Sequence, residues 1–242
     1  MRTKHFENEV LLADAVATEL VDLIAAKPHA VICMASGGSP KLSSEHFVNL
    51  ARKKNLDTSK FFFIGLDEWV GISPDTPGSC ANDFQERIFA PLQIRSNQYH
   101  LFNALAHDPL SECVKMDEVI KSRGGIDIMI VGIGMNGHIG FNEPGVDFNN
   151  RSHLATLAPV TSEVGQKYFQ TPMQLSLGLT LGFSYLKEAV KVILIATGQS
   201  KASIIKTALK GPVTSNVPAS FMQTLDHGMV FLDQQAAQDL AR

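Results

Sequence analysis

Apolar residues along this chain fall into two rhythms. Leu12, Val16, Leu20 and Leu23 recur every three or four positions, which predicts an amphipathic helix over about residues 8–26. Shorter unbroken runs follow a different rule. "AVICMA" (30–35) is too short for a buried helix and stops at "SGGSP", so it reads as a strand covered on both faces, then a turn, then a helix from near Lys41. "KFFFIGLDEW" repeats the design with a strand ending near Gly65. "IDIMIVGIG" and "KVILIATGQS" repeat it again, and "GMVFLD" is a last strand.

Apolar runs alternating with helical stretches are the signature of βαβ units. The expected fold is α/β: a mostly parallel sheet with helices on both faces. No repeat, low-complexity segment or linker interrupts the chain, so residues 1–242 are expected to form a single domain. In such folds ligands bind beyond the carboxyl ends of the strands, and every notable motif of this sequence falls at such an end.

Composition narrows the function classes. A formal charge of −3 with 19% charged residues gives no concentrated basic face for nucleic acid. No apolar stretch reaches the ~20 residues needed to span a bilayer. "MRTKHFENEV" has no apolar core of a signal peptide. Cys33, Cys80 and Cys113 lie far apart, as neither a disulfide framework nor a metal pattern. A cytoplasmic protein with free thiols, no metal and no membrane or nucleic-acid partner is the expectation.

Four strand ends carry candidate chemistry. In "ASGGSP", Ser36, Gly37, Gly38 and Ser39 combine close-approach backbone amides, hydroxyl donors and a helix N-terminus, which suits a small phosphate. The Gly-Lys-Ser/Thr ending of a nucleotide P-loop is missing. In "GLDEWVG", Asp67 and Glu68 are adjacent on an extended segment and so point in different directions: one is free to face a site while the other caps the next element. In "TGQSKAS", Lys201 at a helix start opposes the helix dipole and calls for an anionic partner. Lys167 in "GQKYF" is a second candidate cation.

The remaining end, "VGIGMNGHIGFNEPG", holds a literal G-x-G-x-x-G at Gly132, Gly134 and Gly137. A dinucleotide fingerprint needs its third glycine in a helix and an acidic residue ~20 positions on. Here Pro144 would disrupt a helix interior, and nothing acidic lies between Asp147 and Glu163. The loop instead brings His138 and Glu143 near each other, with Asn136 and Asn142 as neutral hydrogen-bonding groups. A histidine beside a carboxylate is equipment for general acid–base work.

Taken in order, "MASGGSP", "LDEWVG", "GIGMNGHIGFNEPG", "TSEVGQKYF" and "TGQSKA" resemble the glucosamine-6-phosphate deaminase (isomerase) family and its relative galactosamine-6-phosphate isomerase. The resemblance implies a modified Rossmann-like three-layer α/β/α domain acting on a hexosamine 6-phosphate, without metal or redox cofactor. It implies that His138, held by Glu143, moves protons during ring opening, and that Asp67 shifts the proton from C2 to C1. "TSEVGQKYF" corresponds to the family's lid, and Lys201 to its phosphate lysine.

Two positions depart from the pattern. Asn136 stands where many members carry Asp, leaving Glu143 as the carboxylate support of His138. Lys167 stands where many have Arg, keeping the charge without the bidentate fork. Basic residues for allosteric activation are not evident after Arg151. "LDEW", "TPGSC", "GLTLG" and "NVPASF" lean toward the galactosamine type and "GFNEP" toward the glucosamine type, which makes galactosamine 6-phosphate the slightly favoured expectation. Among alternatives, 6-phosphogluconolactonase is disfavoured by "FNEP", and ribose-5-phosphate isomerase by its missing aspartate-rich motif. A sugar-phosphate-sensing domain of a repressor would need a DNA-binding module where only about 30 residues precede the first expected strand. Oligomeric state is left open.

Overall fold

The computed structural model describes residues 1–240. Seven strands form a parallel sheet in the order β1-β10-β9-β6-β2-β3-β5. They are β1 (Arg2–Phe6), β2 (Val31–Met34), β3 (Phe62–Gly65), β5 (Tyr99–His100), β6 (Ile128–Val131), β9 (Lys191–Ala196) and β10 (Gly228–Asp233). A separate three-stranded antiparallel sheet joins β4 (Asp67–Trp69), β8 (Leu177–Thr180) and β7 (His153–Thr156).

The central strands are continuous apolar runs because both of their faces are covered. Val31 and Cys33 of β2 enter one core, Ile32 and Met34 the other; Met129 and Val131 of β6 likewise oppose Ile128 and Ile130. One face is packed by α1 (Glu9–Ala26) and α2 (Gly38–Lys53), through residues such as Leu20, Ile24 and Phe47. The Cys80–Leu92 stretch, made of α3 (Cys80–Phe84), a π turn and α4 (Ala90–Leu92), adds Phe84 and Phe89 to that layer. The opposite face is packed by α5 (Pro109–Ser122), α7 (Phe183–Glu188), α8 (Ala202–Lys210) and α9 (Gln234–Ala237). A short helix α6 (Pro159–Gly165) leads into a 3-10 turn at Gln166–Tyr168. The expected three-layer α/β/α arrangement is therefore present. Helix α1 starts where the periodicity places it, with Asn8 accepting from Leu11 N at 3.0 Å as its N-cap.

Two expectations need correction. The first strand is β1, not the run at 30–35: "RTKHF" is half exposed at the sheet edge, paired only with β10, so it shows no hydrophobic run. Charges on an edge strand also discourage pairing with other chains. Helix α2 begins at Gly38 rather than near Lys41, so the glycine-serine segment is itself the first turn. The third central strand ends at Gly65 as expected, and "LDEW" follows it. The chain leaves β3 at Gly65 and enters the small sheet at Asp67, where it pairs with Thr180.

Topology locates the crevice. From β2 the chain moves outward through β3 and β5, then returns to place β6 on the other side of β2. Strand order thus reverses between β2 and β6, the point at which open α/β sheets bind ligands.

Candidate active site

The loop after β2 forms the first wall. Gly37 has φ +100°, a conformation that glycine adopts readily, and as the N-cap of α2 it offers no side chain to the first-turn amides. The Tyr168 hydroxyl reaches this nest. It accepts from Gly38 N–H, and a Cβ at Gly37 would lie 3.1 Å from it. Ser39 Oγ is 3.4 Å from Thr197 Oγ1 in the loop after β9, and Ser36 contacts the Cys80 thiol.

Lys201 is the N-cap residue of α8, at the end of the 3-10 turn Gln199–Lys201. Its Nζ donates to the Ile133 carbonyl oxygen at 2.7 Å, tying the loop after β9 to the loop after β6. That carbonyl takes one of the ammonium's three hydrogens and leaves two for an anion. Burial, and then repulsion from Lys167, lower the Lys201 ammonium to about 8. The two candidate cations therefore face the same space, with Lys167 more exposed.

Asp67 and Glu68 divide as the alternation of a strand requires. Glu68 is buried and accepts from three amides: Trp69 N (2.9 Å), Cys80 N (3.0 Å) and Ala81 N (2.8 Å). It caps α3 and anchors the small sheet to it. Asp67 is only partly covered, with the Cys80 thiol 3.9 Å from its Oδ1. Burial, and then the charge of Glu68, push the Asp67 carboxyl up to about 7, against a smaller opposing pull from the Cys80 thiol. A carboxylate poised there matches what a general base needs near neutral pH.

The loop after β6 stays irregular from Gly132 to Asn150. Its glycines serve local geometry. A Cβ on Gly134 would overlap the His138 imidazole at Cε1 and Nε2, and Gly137 (φ +87°) closely approaches Val217. Since no helix follows Gly137, the dinucleotide arrangement is absent here. His138 turns Nδ1 toward Thr161 Oγ1 at 3.1 Å, while Glu143 Oε2 is 3.6 Å away. Glu143 Oε2 accepts from Asn136 Nδ2 at 2.7 Å, its Oε1 from Ala158 N at 3.2 Å, and Asn136 Oδ1 accepts from His138 N at 3.2 Å. Burial alone would raise Glu143; His138 and the hydrogen bonds from Thr161 and Asn136 outweigh it, and the carboxyl ends below its usual range. The loop is pinned from beneath. Buried Asn142 Nδ2 donates to the Ile139 and Leu181 carbonyls, and Phe141 packs at a tilt against Trp69 of β4 with ring centroids 4.6 Å apart.

All four strand ends therefore meet above the β2/β6 reversal. Among the described residues, no group of three or more His, Cys, Asp or Glu side chains is arranged to hold a metal, and no helix is long and apolar enough to cross a membrane.

A family model described as glucosamine-6-phosphate isomerases/6-phosphogluconolactonase matches residues 7–231. The chain belongs to this family. Within it, a glucosamine-6-phosphate deaminase of Thermoanaerobacter sp. (strain X514) is 34% identical over 87% of this chain and 84% of its own. One from Bacillus pumilus (strain SAFR-032) is 31% identical over 98% of both chains. A solved structure of a monomeric glucosamine-6-phosphate deaminase superposes with a TM-score of 0.95 at 30% identity, covering 99% of this chain and 100% of that one. The 6-phosphogluconolactonase of Thermotoga maritima shares the fold at a TM-score of 0.76 and 19% identity.

The strand-end motifs single out Asp67, His138 and Glu143 but not Thr161 or Tyr168, the side chains that reach from the α6 segment to His138 and to the Gly37–Gly38 nest. Both sit inside "TSEVGQKYF". Hydroxyls there carry no periodic or charge signal, and only the folding of α6 over the crevice assigns them contacts.

Proposed function

We propose that this chain converts a hexosamine 6-phosphate and water into a ketohexose 6-phosphate and ammonia. The observation that carries the reading is the Asp67 carboxylate beside the Cys80 thiol, which Ser36 of the glycine-rich loop also contacts, with burial raising that carboxyl to about 7. A phosphate would be held by the amides of Gly37, Gly38 and Ser39, the hydroxyl of Ser36 and the ammonium groups of Lys201 and Lys167. His138 moves a proton between the ring oxygen and the C1 hydroxyl, breaking the C1–ring oxygen bond to give the open aldehyde. Asp67 takes the C2 proton, the electron pair forms the C1–C2 double bond of an enolamine, and the aldehyde oxygen takes a proton from solvent, which the nitrogen gives back when the imine forms. Asp67 then returns its proton to C1, leaving an imine at C2. Water adds there and ammonia leaves.

The named relatives support the gluco epimer, whereas several short motifs of this chain lean toward the galacto epimer. The two sugars differ only at the C4 hydroxyl. The deciding experiment measures ammonia release from glucosamine 6-phosphate and galactosamine 6-phosphate side by side, with 6-phosphogluconolactone hydrolysis as a third arm. Ammonia from either amino sugar supports the reading, and the ratio of kcat/KM values assigns the epimer. Lactone hydrolysis without ammonia release would overturn it in favour of the lactonase branch. The fold neighbours that make this branch worth testing are under 25% identical.

A further inference from the structure

Glu143 Oε2 lies 3.6 Å from His138 Nδ1, at ion-pair distance, and the imidazole is foremost among the groups that lower its carboxyl. Nearer still is the Thr161 hydroxyl at 3.1 Å from the same nitrogen. Thr161 is 5% exposed, which leaves little room for water to take its place. Its hydroxyl also contacts Glu143.

Donor counting orients this chain of contacts. An ionised carboxylate only accepts, whereas a hydroxyl has one hydrogen to give and lone pairs to accept with. Glu143 is held ionised, with Asn136 and the Ala158 amide already donating to it. The Thr161 hydrogen therefore goes to Glu143, and the Thr161 oxygen accepts Nδ1–H from His138. That leaves Nε2, the nitrogen passing over Gly134, with its lone pair free. The hydroxyl belongs to α6, and the same segment continues directly into Lys167 and Tyr168.

Building on the proposed deaminase reading, we propose that Thr161 is a positioning residue for ring opening. Its hydroxyl bridges His138 to Glu143, fixes the Nδ1-protonated tautomer, and makes histidine geometry depend on the seating of α6. Tyr168 at the Gly37–Gly38 nest is the far end of that same linkage, so occupation of the nest and orientation of the imidazole are mechanically joined.

The test compares Thr161→Val, which keeps the shape and removes the hydroxyl, with Thr161→Ser, which restores it. On cyclic amino-sugar phosphate, kcat of the Val variant should fall about tenfold, the weight of one lost orienting hydrogen bond, and the Ser variant should recover to within about threefold. Deuterium exchange at C1 of the ketose phosphate with ammonia present, a step assigned to Asp67, should be unchanged in both. Equal slowing of both reactions would mean a general loss of structure and overturn the positioning role, as would a Val variant with wild-type kcat. A third readout needs no variant. Nitrogen-15 spectra of the wild-type protein at alkaline pH should show the hydrogen of His138 on Nδ1, and a hydrogen on Nε2 overturns the proposal. Failure of the deaminase reading is distinguishable, because the wild-type chain would then release no ammonia at all.

Discussion

Two glycine-rich loops face each other across the strand-order reversal, and they use glycine for opposite ends. The loop after β2 passes at once into α2, so its glycines bare the backbone: Gly37 gives the helix no cap and leaves amides pointing outward. The loop after β6 never becomes a helix. There Gly134 vacates the volume that the His138 ring fills, and side chains do the facing. One loop is a surface of fixed dipoles suited to an anion, and the other is a mount for a titrating group. Similar local composition thus encodes anchoring in one place and proton transfer in the other, and what distinguishes them is whether a helix begins.

The sharpest way to break that division is at the proton-transfer end. Asp67→Asn should lower kcat by about 10²–10⁴ with KM nearly unchanged; steady-state ammonia release checks this, and a variant keeping half of wild-type kcat removes Asp67 from the chemistry. The anchoring end should respond differently. Lys201→Ala is expected to raise KM about ten- to a hundredfold with a much smaller change in kcat, as for a charge-assisted contact made in ground and transition states alike. If inorganic phosphate protects the variant against heat as well as it protects wild type, the anion seat lies elsewhere.

A pH profile separates the ends again. Asp67 must be ionised to accept a proton, so kcat/KM should rise as pH passes about 7. Lys201 must be charged to hold an anion, so kcat/KM should fall as pH passes about 8. In Lys201→Arg the guanidinium stays charged at every accessible pH, and the alkaline fall should disappear while the acid limb stays. An alkaline limb that persists unchanged would have another source.

The smallest effect concerns stability. The folded-state carboxyl of Asp67 is raised, so folding favours its protonated form. That contribution is complete below the unfolded value near 4 and is lost as pH climbs through about 7. Asp67→Asn should therefore gain in Tm relative to wild type between pH 5 and pH 8. Differential scanning calorimetry at the two pH values checks it, and an equal Tm difference at both would contradict the burial account.

Much of this was legible from the chain because parallel central strands, buried on both faces, announce themselves as apolar runs; β2, β6, β9 and β10 all did. The pairing of Asp67 with Glu68 was legible too, since alternation alone sends one carboxylate to the crevice and the other to cap α3. What escaped has physical reasons. Strand β1 is an edge whose polar side chains mimic a loop, and β4, β7 and β8 owe their pairing to contacts such as Phe141 on Trp69 rather than to strand length. The helix start at Gly38 was misplaced because glycine and serine read as a turn, when here the turn is the helix's first. Thr161 and Tyr168 gained their meaning only from α6 lying over the crevice.

The pairing of β1 with β10 also bears on the order of events during synthesis. Among the described residues, β1 finds its one sheet partner in Gly228–Asp233, with every other strand of the sheet lying between the two in sequence. Pairings so distant in sequence form late, after shorter loops have closed. While a ribosome is still extending the chain, "RTKHF" must wait unpaired, and its arginine, lysine and histidine make it a poor template for neighbouring nascent chains in that interval. The crevice, by contrast, is framed by β2, β3, β6 and β9, whose pairings with one another involve no residue of β10. Its walls can therefore assemble while the outer edge of the sheet is still open.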